Sequence, residues 1–154
     1  MSAPGFVHLH THSEFSVLDG AARISDLIKA ATKFEMPSLA LTDHGVMYGN
    51  ITFYSEAESA GIKPILGCEV YVAQRGRTQR DARLDKEQNH LVLLAENERG
   101  WQNLTRLVTA GYLEGFYHRP RIDKELLAAH ADGLIALSAC ASGEVAARLL
   151  AGDA

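Results

Sequence analysis

Three histidines on alternate residues, His8, His10 and His12, stand near the start of the chain. In extended backbone, side chains two residues apart share a face at about 6.6 Å spacing, so the three imidazoles would line one wall. Neutral imidazole is the commonest nitrogen ligand for zinc and similar ions, and a row of imidazoles without a metal leaves costly polar groups in an apolar strand. The chemistry such a wall offers is metal binding. A His-rich tract on a solvated strand face fits the triplet equally well, because such tracts are compositional signals only. Five further groups able to bind metal are scattered along the chain: Asp19, His44, Glu69, His90 and Cys140. Each has an ordinary reading. Asp19 precedes Gly20 as turn aspartates do, His44 before Gly45 could cap, and Glu69 could point outward. His90 could cap its strand, and an isolated cysteine such as Cys140 is more often a small buried hydrophobe than a ligand. Cys68 belongs with the hydrophobes, since strand alternation sends it to the face opposite Glu69.

Positioning these groups falls to alternating strand-like and helical segments. The pattern predicts strands over Phe6–His12, Ser38–Thr42, Pro64–Ala73, His90–Ala95 and Gly133–Ser138. Helices are predicted from an N-cap at Ser25 to Phe34, then over Asn50–Ala60, Arg99–Leu113, Asp123–Ala131 and Gly143–Leu150. Five β units, four followed directly by helices, imply parallel strands with right-handed crossovers. An open doubly wound sheet and part of a barrel both satisfy that pattern. No Gly-x-Gly-x-x-Gly opens the first helix, so a dinucleotide fold has no support. Chemistry in such folds collects at the C-terminal strand ends, where His10, His12, Asp43, His44 and Cys140 fall. Glu69 lies inside its strand and His90 begins one, so the rule covers only part of the set. Residues 74–89 mix Arg75, Arg77, Arg80, Arg83 and Lys86 with acids and show no apolar period, which reads as an exposed charged loop.

Composition excludes several classes. With 154 residues and 47% hydrophobic content the chain suffices for one packed domain. It has no 18-residue apolar run and no signal-peptide pattern, so the expectation is a cytoplasmic protein with no membrane partner. Two cysteines, Cys68 and Cys140, fit a reducing compartment. A net charge of −4 argues against an autonomous nucleic-acid-binding surface, though not against a local basic stripe.

Several spaced segments resemble the PHP (polymerase and histidinol phosphatase) superfamily in order: Leu9-His10-Thr11-His12-Ser13, Leu18-Asp19-Gly20, Leu41-Thr42-Asp43-His44-Gly45, residues 61–69 ending Gly67-Cys68-Glu69, and residues 90–95 beginning with His90. Residues 112–123, from Tyr112 through Arg119-Pro120-Arg121 to Asp123, and residues 133–140 ending in Cys140 look more like the N-terminal domain of C-family bacterial replicative DNA polymerases than like free-standing phosphatases. The resemblance implies an α/β fold in which parallel β/α units form part of a distorted seven-stranded (β/α)7 PHP barrel. It implies up to three divalent metal ions, of zinc, manganese or iron, held by His10, His12, Asp19, His44, Glu69, His90 and Cys140. His8 is then placed behind the ligands, as support or core, and Asp43 is expected to orient an imidazole through its ring N–H. Arg119 and Arg121 are possible phosphate contacts, with a solvated loop the alternative.

Clustered ions of this kind lower the pKa of a bridging water and supply hydroxide as nucleophile, so the implied activity is metal-dependent phosphoester hydrolysis, of 3′–5′ exonuclease or pyrophosphate-related type. No catalytic group beyond the ligands is indicated. Implied partners are DNA, through the full-length protein, the polymerase core domains and other replication holoenzyme subunits. The family pattern requires a late Asp-x-His motif that this sequence does not contain, and five strands cannot close a seven-stranded barrel. The expectation is therefore the N-terminal portion of a truncated domain, inactive alone, with an edge strand left exposed. A free-standing phosphatase and a non-catalytic, metal-stabilised docking scaffold are the competing functions.

Overall fold

A computed structural model describes residues 5–153. Its elements run α1 (Ile24–Lys33), β1 (Ser38–Leu41), α2 (Asn50–Ser59), β2 (Lys63–Ala73), β3 (Gln88–Ala95), α3 (Glu98–Leu113), β4 (Arg121–Ile122), α4 (Lys124–Ala129), β5 (Leu134–Leu137) and α5 (Glu144–Ala151). The helices follow their apolar spacing. Ile24, Ile28 and Ala31 put one buried stripe on α1, and Leu104, Leu107 and Gly111 do so on α3. Asn97 and Asp123 cap α3 and α4 by accepting from the Gly100 and Leu126 amides. Ser25 does not cap α1 as predicted; Arg23 holds that position without a side-chain bond. No described helix is long and apolar enough to cross a membrane.

One sheet, in the order β1-β2-β3-β5 with β4 also against β2, carries these layers. It is mixed rather than wholly parallel. β1 and β4 run parallel to β2, whereas β3 is antiparallel to both β2 and β5. The cause lies between β2 and β3, where residues 74–87 form no helix and the chain returns beside the strand it has just left. The predicted first strand is also absent as a ladder. Residues 6–12 run beside β1 through the bonds Ala40 N–H to His8 O (2.9 Å) and Thr42 N–H to Thr11 O (2.8 Å). There the Thr42 hydroxyl accepts from the Thr11 amide at 2.8 Å, so a side chain takes the place of a ladder bond.

Alternation along β2 sorts the two faces. Cys68, Val70 and Val72 pack with Leu93, Leu104, Leu107 and Ile122 under α3, while Glu69 and Tyr71 point to the opposite face. Burial pushes the Cys68 thiol far above its usual range, which makes it inert core. A second core joins α1 and α2 to β1 through Ile28, Leu41 and Phe53. At the other edge, β5 pairs only with β3 among the described residues, and Ile135, Val145, Leu149 and Leu150 are exposed.

The charged loop over 74–89 is mostly exposed, yet its shape is held. Arg75 binds Asp85 at 2.6 and 2.9 Å, and Arg77 binds Asp123 and Glu114 at 3.0 and 2.7 Å. Arg121 is fully buried. Its guanidinium donates to the carbonyls of Gln79 (2.7 Å), Arg77 (3.0 Å), Gly115 (3.1 Å) and Asp85 (3.3 Å).

Candidate metal centre

Glu69 has no solvent exposure and stands on the inner face of β2, where four imidazoles close on its carboxylate. His10 Nε2 lies 2.8 Å, His12 Nε2 3.0 Å and His44 Nδ1 3.3 Å from Oε2, and His90 Nδ1 lies 2.8 Å from Oε1. Each imidazole arrives from a different place in the chain. His10 and His12 come from the extended N-terminal segment, His44 from the turn after β1, and His90 from β3. His44 is seated by a parallel bridge to Glu69, in which the Glu69 amide donates to Asp43 O and the Gly45 amide to Glu69 O.

Two donor triads result, His10–His12–Glu69 and His44–Glu69–His90, each with its ligand atoms within 4.8 Å of one another and both sharing Glu69. Asp19 joins from the exposed loop, its Oδ2 3.0 Å from His44 Nε2. Cys140 arrives last, with Sγ 3.8 Å from His90 Nδ1 and 4.0 Å from Glu69 Oε1. The turn carrying Cys140 is tied to β3, since the His90 amide donates to Ser142 O and the Ser142 amide to Cys140 Sγ. The seven predicted ligands therefore meet in one place.

The other predicted residues divide. His8 is exposed and edge-on to Phe6 at 4.7 Å, so it is neither core nor, among the described residues, hydrogen-bonded to the cluster. Strand alternation fails there because the segment bends at Leu9-His10. Asp43 is buried but orients no imidazole. Its carboxylate accepts from the Ser13 amide (2.6 Å), the Ser13 hydroxyl (2.7 Å) and the Ser16 hydroxyl (2.7 Å), clamping the loop that carries Asp19. Arg119 does reach the mouth, donating to Tyr71 Oη at 3.2 Å with its guanidinium 5.3 Å over that ring. Arg121 does not; its donors are spent on backbone carbonyls away from the cluster.

Three residues at the site were not singled out from the sequence. Ser13 and Ser16 are buried ends of the Asp43 clamp, and Ser16 Oγ also accepts from the His44 amide at 3.1 Å. Tyr71 packs against both His44 and His90, with ring centroids 6.1 and 5.1 Å away, while those two imidazoles lie 5.4 Å from each other. Its position two residues after Glu69 on β2 is the signal that could have found it.

Electrostatics divides the imidazoles. Burial alone would raise the Glu69 pKa, but the hydrogen bonds from His12, His90 and His10 together outweigh it and hold the carboxyl well below the usual range. The Glu69 hydrogen bond raises the pKa of His12, while burial lowers that of His44, which stacks on His12 at 4.1 Å. His12 Nδ1 is buried without a hydrogen-bond partner, and His44 Nδ1, though 3.3 Å from Glu69 Oε2, makes no hydrogen bond there; such a deficit costs about 1–3 kcal/mol per group. Imidazole nitrogens short of partners, around carboxylates and a thiol, form a donor set that fits divalent metal ions.

Because Asp43 holds the Asp19 loop, Asp43→Ala is expected to cost about 2 kcal/mol of stability. It should also weaken metal binding about tenfold, as loss of a ligand-orienting group does. Isothermal titration with Zn2+ or Mn2+ beside a urea denaturation series checks both; unchanged metal affinity would show that the clamp does not serve the site.

Residues 8–154 match the PHP domain family. DNA polymerase III subunit alpha of Borreliella burgdorferi is 52% identical over 147 residues, covering 95% of this chain and 13% of that protein. The Thermus aquaticus subunit is 51% identical over 144 residues (91% and 12%), and that of Treponema pallidum 46% over 153 residues (99% and 13%). The chain thus spans 12–13% of the length of these relatives. Among solved structures, an amidohydrolase from Chromobacterium violaceum with bound sulfate aligns over 68% of this chain and 34% of its own, at 25% identity and a TM-score of 0.47.

Proposed function

The chain belongs to the PHP domain family, and we propose that it forms the metal-dependent phosphodiesterase module of a bacterial replicative DNA polymerase, acting as a 3′–5′ exonuclease on DNA. The observation that carries this reading is the pair of donor triads sharing the buried Glu69. On this reading His10 and His12 hold one ion and His44 and His90 another, with Glu69 common to both. Asp19 and Cys140 add donors beside them, and the set would serve up to three ions of zinc, manganese or iron. Ions so placed would polarise a phosphodiester and stabilise the charge that develops on its oxygens. Arg119, held over the Tyr71 ring, supplies a guanidinium to orient the phosphate at the mouth. Polymerisation, and contacts with other replication subunits, would belong to polypeptide outside this chain.

The expected result is release of terminal nucleotides from single-stranded DNA by the full-length protein supplied with Mn2+ or Zn2+. Chelation and His10→Ala/His12→Ala should each abolish release. Turnover of small phosphomonoesters alone would assign a free-standing phosphatase. If the double variant lowers only the melting temperature and leaves nuclease turnover intact, the centre is a structural scaffold.

A further inference from the structure

A cavity of about 360 Å3 opens beside His44 and His90, and its lining joins unlike surfaces. Arg119 and Asp19 line it together with Val17, Leu18, Tyr48 and Tyr112, of which Val17 is 86%, Leu18 80% and Tyr48 67% exposed. Large apolar side chains gathered at the rim of a polar centre mark a binding surface more often than scattered exposed ones do. These are also firmly presented. The loop bearing Val17 and Leu18 is pinned by the bonds from Ser13 and Ser16 to Asp43, and Tyr112 is stacked on Phe116 at 6.2 Å.

We propose that Tyr48, Tyr112 and Leu18 form a nucleobase-binding wall that seats the terminal base of a single DNA strand while its phosphate faces Arg119 and the metal centre. This rests on the phosphodiesterase reading for the placement of the phosphate. The charge pattern supports the assignment: among the described residues no carboxylate pairs with Arg119, so its charge is available to an anion, while the one carboxylate of the lining, Asp19, faces His44 at 3.0 Å. Bases within a duplex are already stacked on both sides, so a wall of this kind takes an unpaired end. A phosphomonoester without a base would leave the apolar rim unused.

The test compares a pentathymidylate with a pentamer of abasic residues, equal in charge, in NMR shift titrations of the 154-residue chain. The wild type should bind the thymidylate about tenfold more tightly, within the range for loss of one base–aromatic stack. Tyr48→Ser should erase that preference and leave abasic affinity unchanged, whereas Tyr48→Phe, which keeps the ring, should retain it. Equal affinities of the wild type for the two pentamers overturn the proposal, as does a preference that survives Tyr48→Ser. Circular dichroism checks that each variant is folded. The ratio is read without hydrolysis, so failure of the phosphodiesterase reading would appear separately, as absent metal binding or turnover.

Discussion

Replacing Glu69 by glutamine is expected to reduce bound metal to below one ion per chain. The substitution keeps the side-chain volume, so its effect is electrostatic. An amide cannot supply the two anionic oxygens on which His10, His12, His44 and His90 now converge. The metal-free protein should respond as well. Glu69 has a depressed pKa, so its contribution is present above its ordinary value of 4.5 and is lost as pH falls through the lower folded value. His12 has a raised pKa, so its contribution is full below 6.5 and is lost as pH rises through the higher folded value. Both are present between those values. His44, with its lowered pKa, acts oppositely, contributing above 6.5 and losing that contribution as pH falls, which narrows the maximum without removing it. Glu69→Gln should therefore lower the stability of the metal-free chain by on the order of 2 kcal/mol near pH ~5.5, less than a fully buried pair would lose because the imidazoles are partly solvated. Denaturation midpoints against pH, beside elemental analysis of the metal-loaded form, check both effects. Undiminished metal content in the glutamine variant would remove Glu69 from the centre.

Arg121→Met should be the most destabilising single change away from the cluster, at about 3–4 kcal/mol. Burial lowers the pKa of this guanidinium, but its arrangement keeps it satisfied. It bonds carbonyls from the 74–89 loop and from Gly115, joining that loop to the turn that presents Arg119. Methionine fills similar space and leaves those carbonyls without their donor. Lysine should rescue little, because a single ammonium cannot reproduce the planar fork. Urea denaturation measures the loss, and limited proteolysis should cleave within residues 74–89 in the variant first. A loss below about 1 kcal/mol would show that water replaces the guanidinium at little cost.

These two residues also mark what could be read from the chain without coordinates. That Cys68 and Glu69 take opposite faces of β2 followed from alternation, because that strand is regular and buried throughout residues 67–73; which of the two faces the imidazoles was indicated by the family resemblance and not by the strand pattern. His8 did not follow, because the Thr42 hydroxyl breaks the ladder and the backbone bends before His10. Arg119 and Arg121 look alike on either side of Pro120, but only Arg121 joins β4, opposite Tyr71 on β2, and there it is drawn into the fold. Asp43 beside a ligand histidine suggested support of an imidazole. Its actual partners, Ser13 and Ser16, lie 30 and 27 residues earlier, and local spacing carries no information about such distant pairs. The reversal of β3 was half legible: residues 74–89 read as a loop with no helical period, and a connection without a helix lets the chain return antiparallel, but the run of β/α units elsewhere implied parallel strands throughout.

The central claim is that one buried carboxylate is shared by two sets of imidazoles so that metal ions can be held side by side. Anomalous diffraction from metal-loaded crystals, recorded at the absorption edge of the bound element, tests it directly. The account predicts at least two peaks flanking Glu69, one beside His10 and His12 and another beside His44 and His90. Crystals grown with excess metal that show no peak there, with the four imidazoles still gathered on the Glu69 carboxylate, would contradict it.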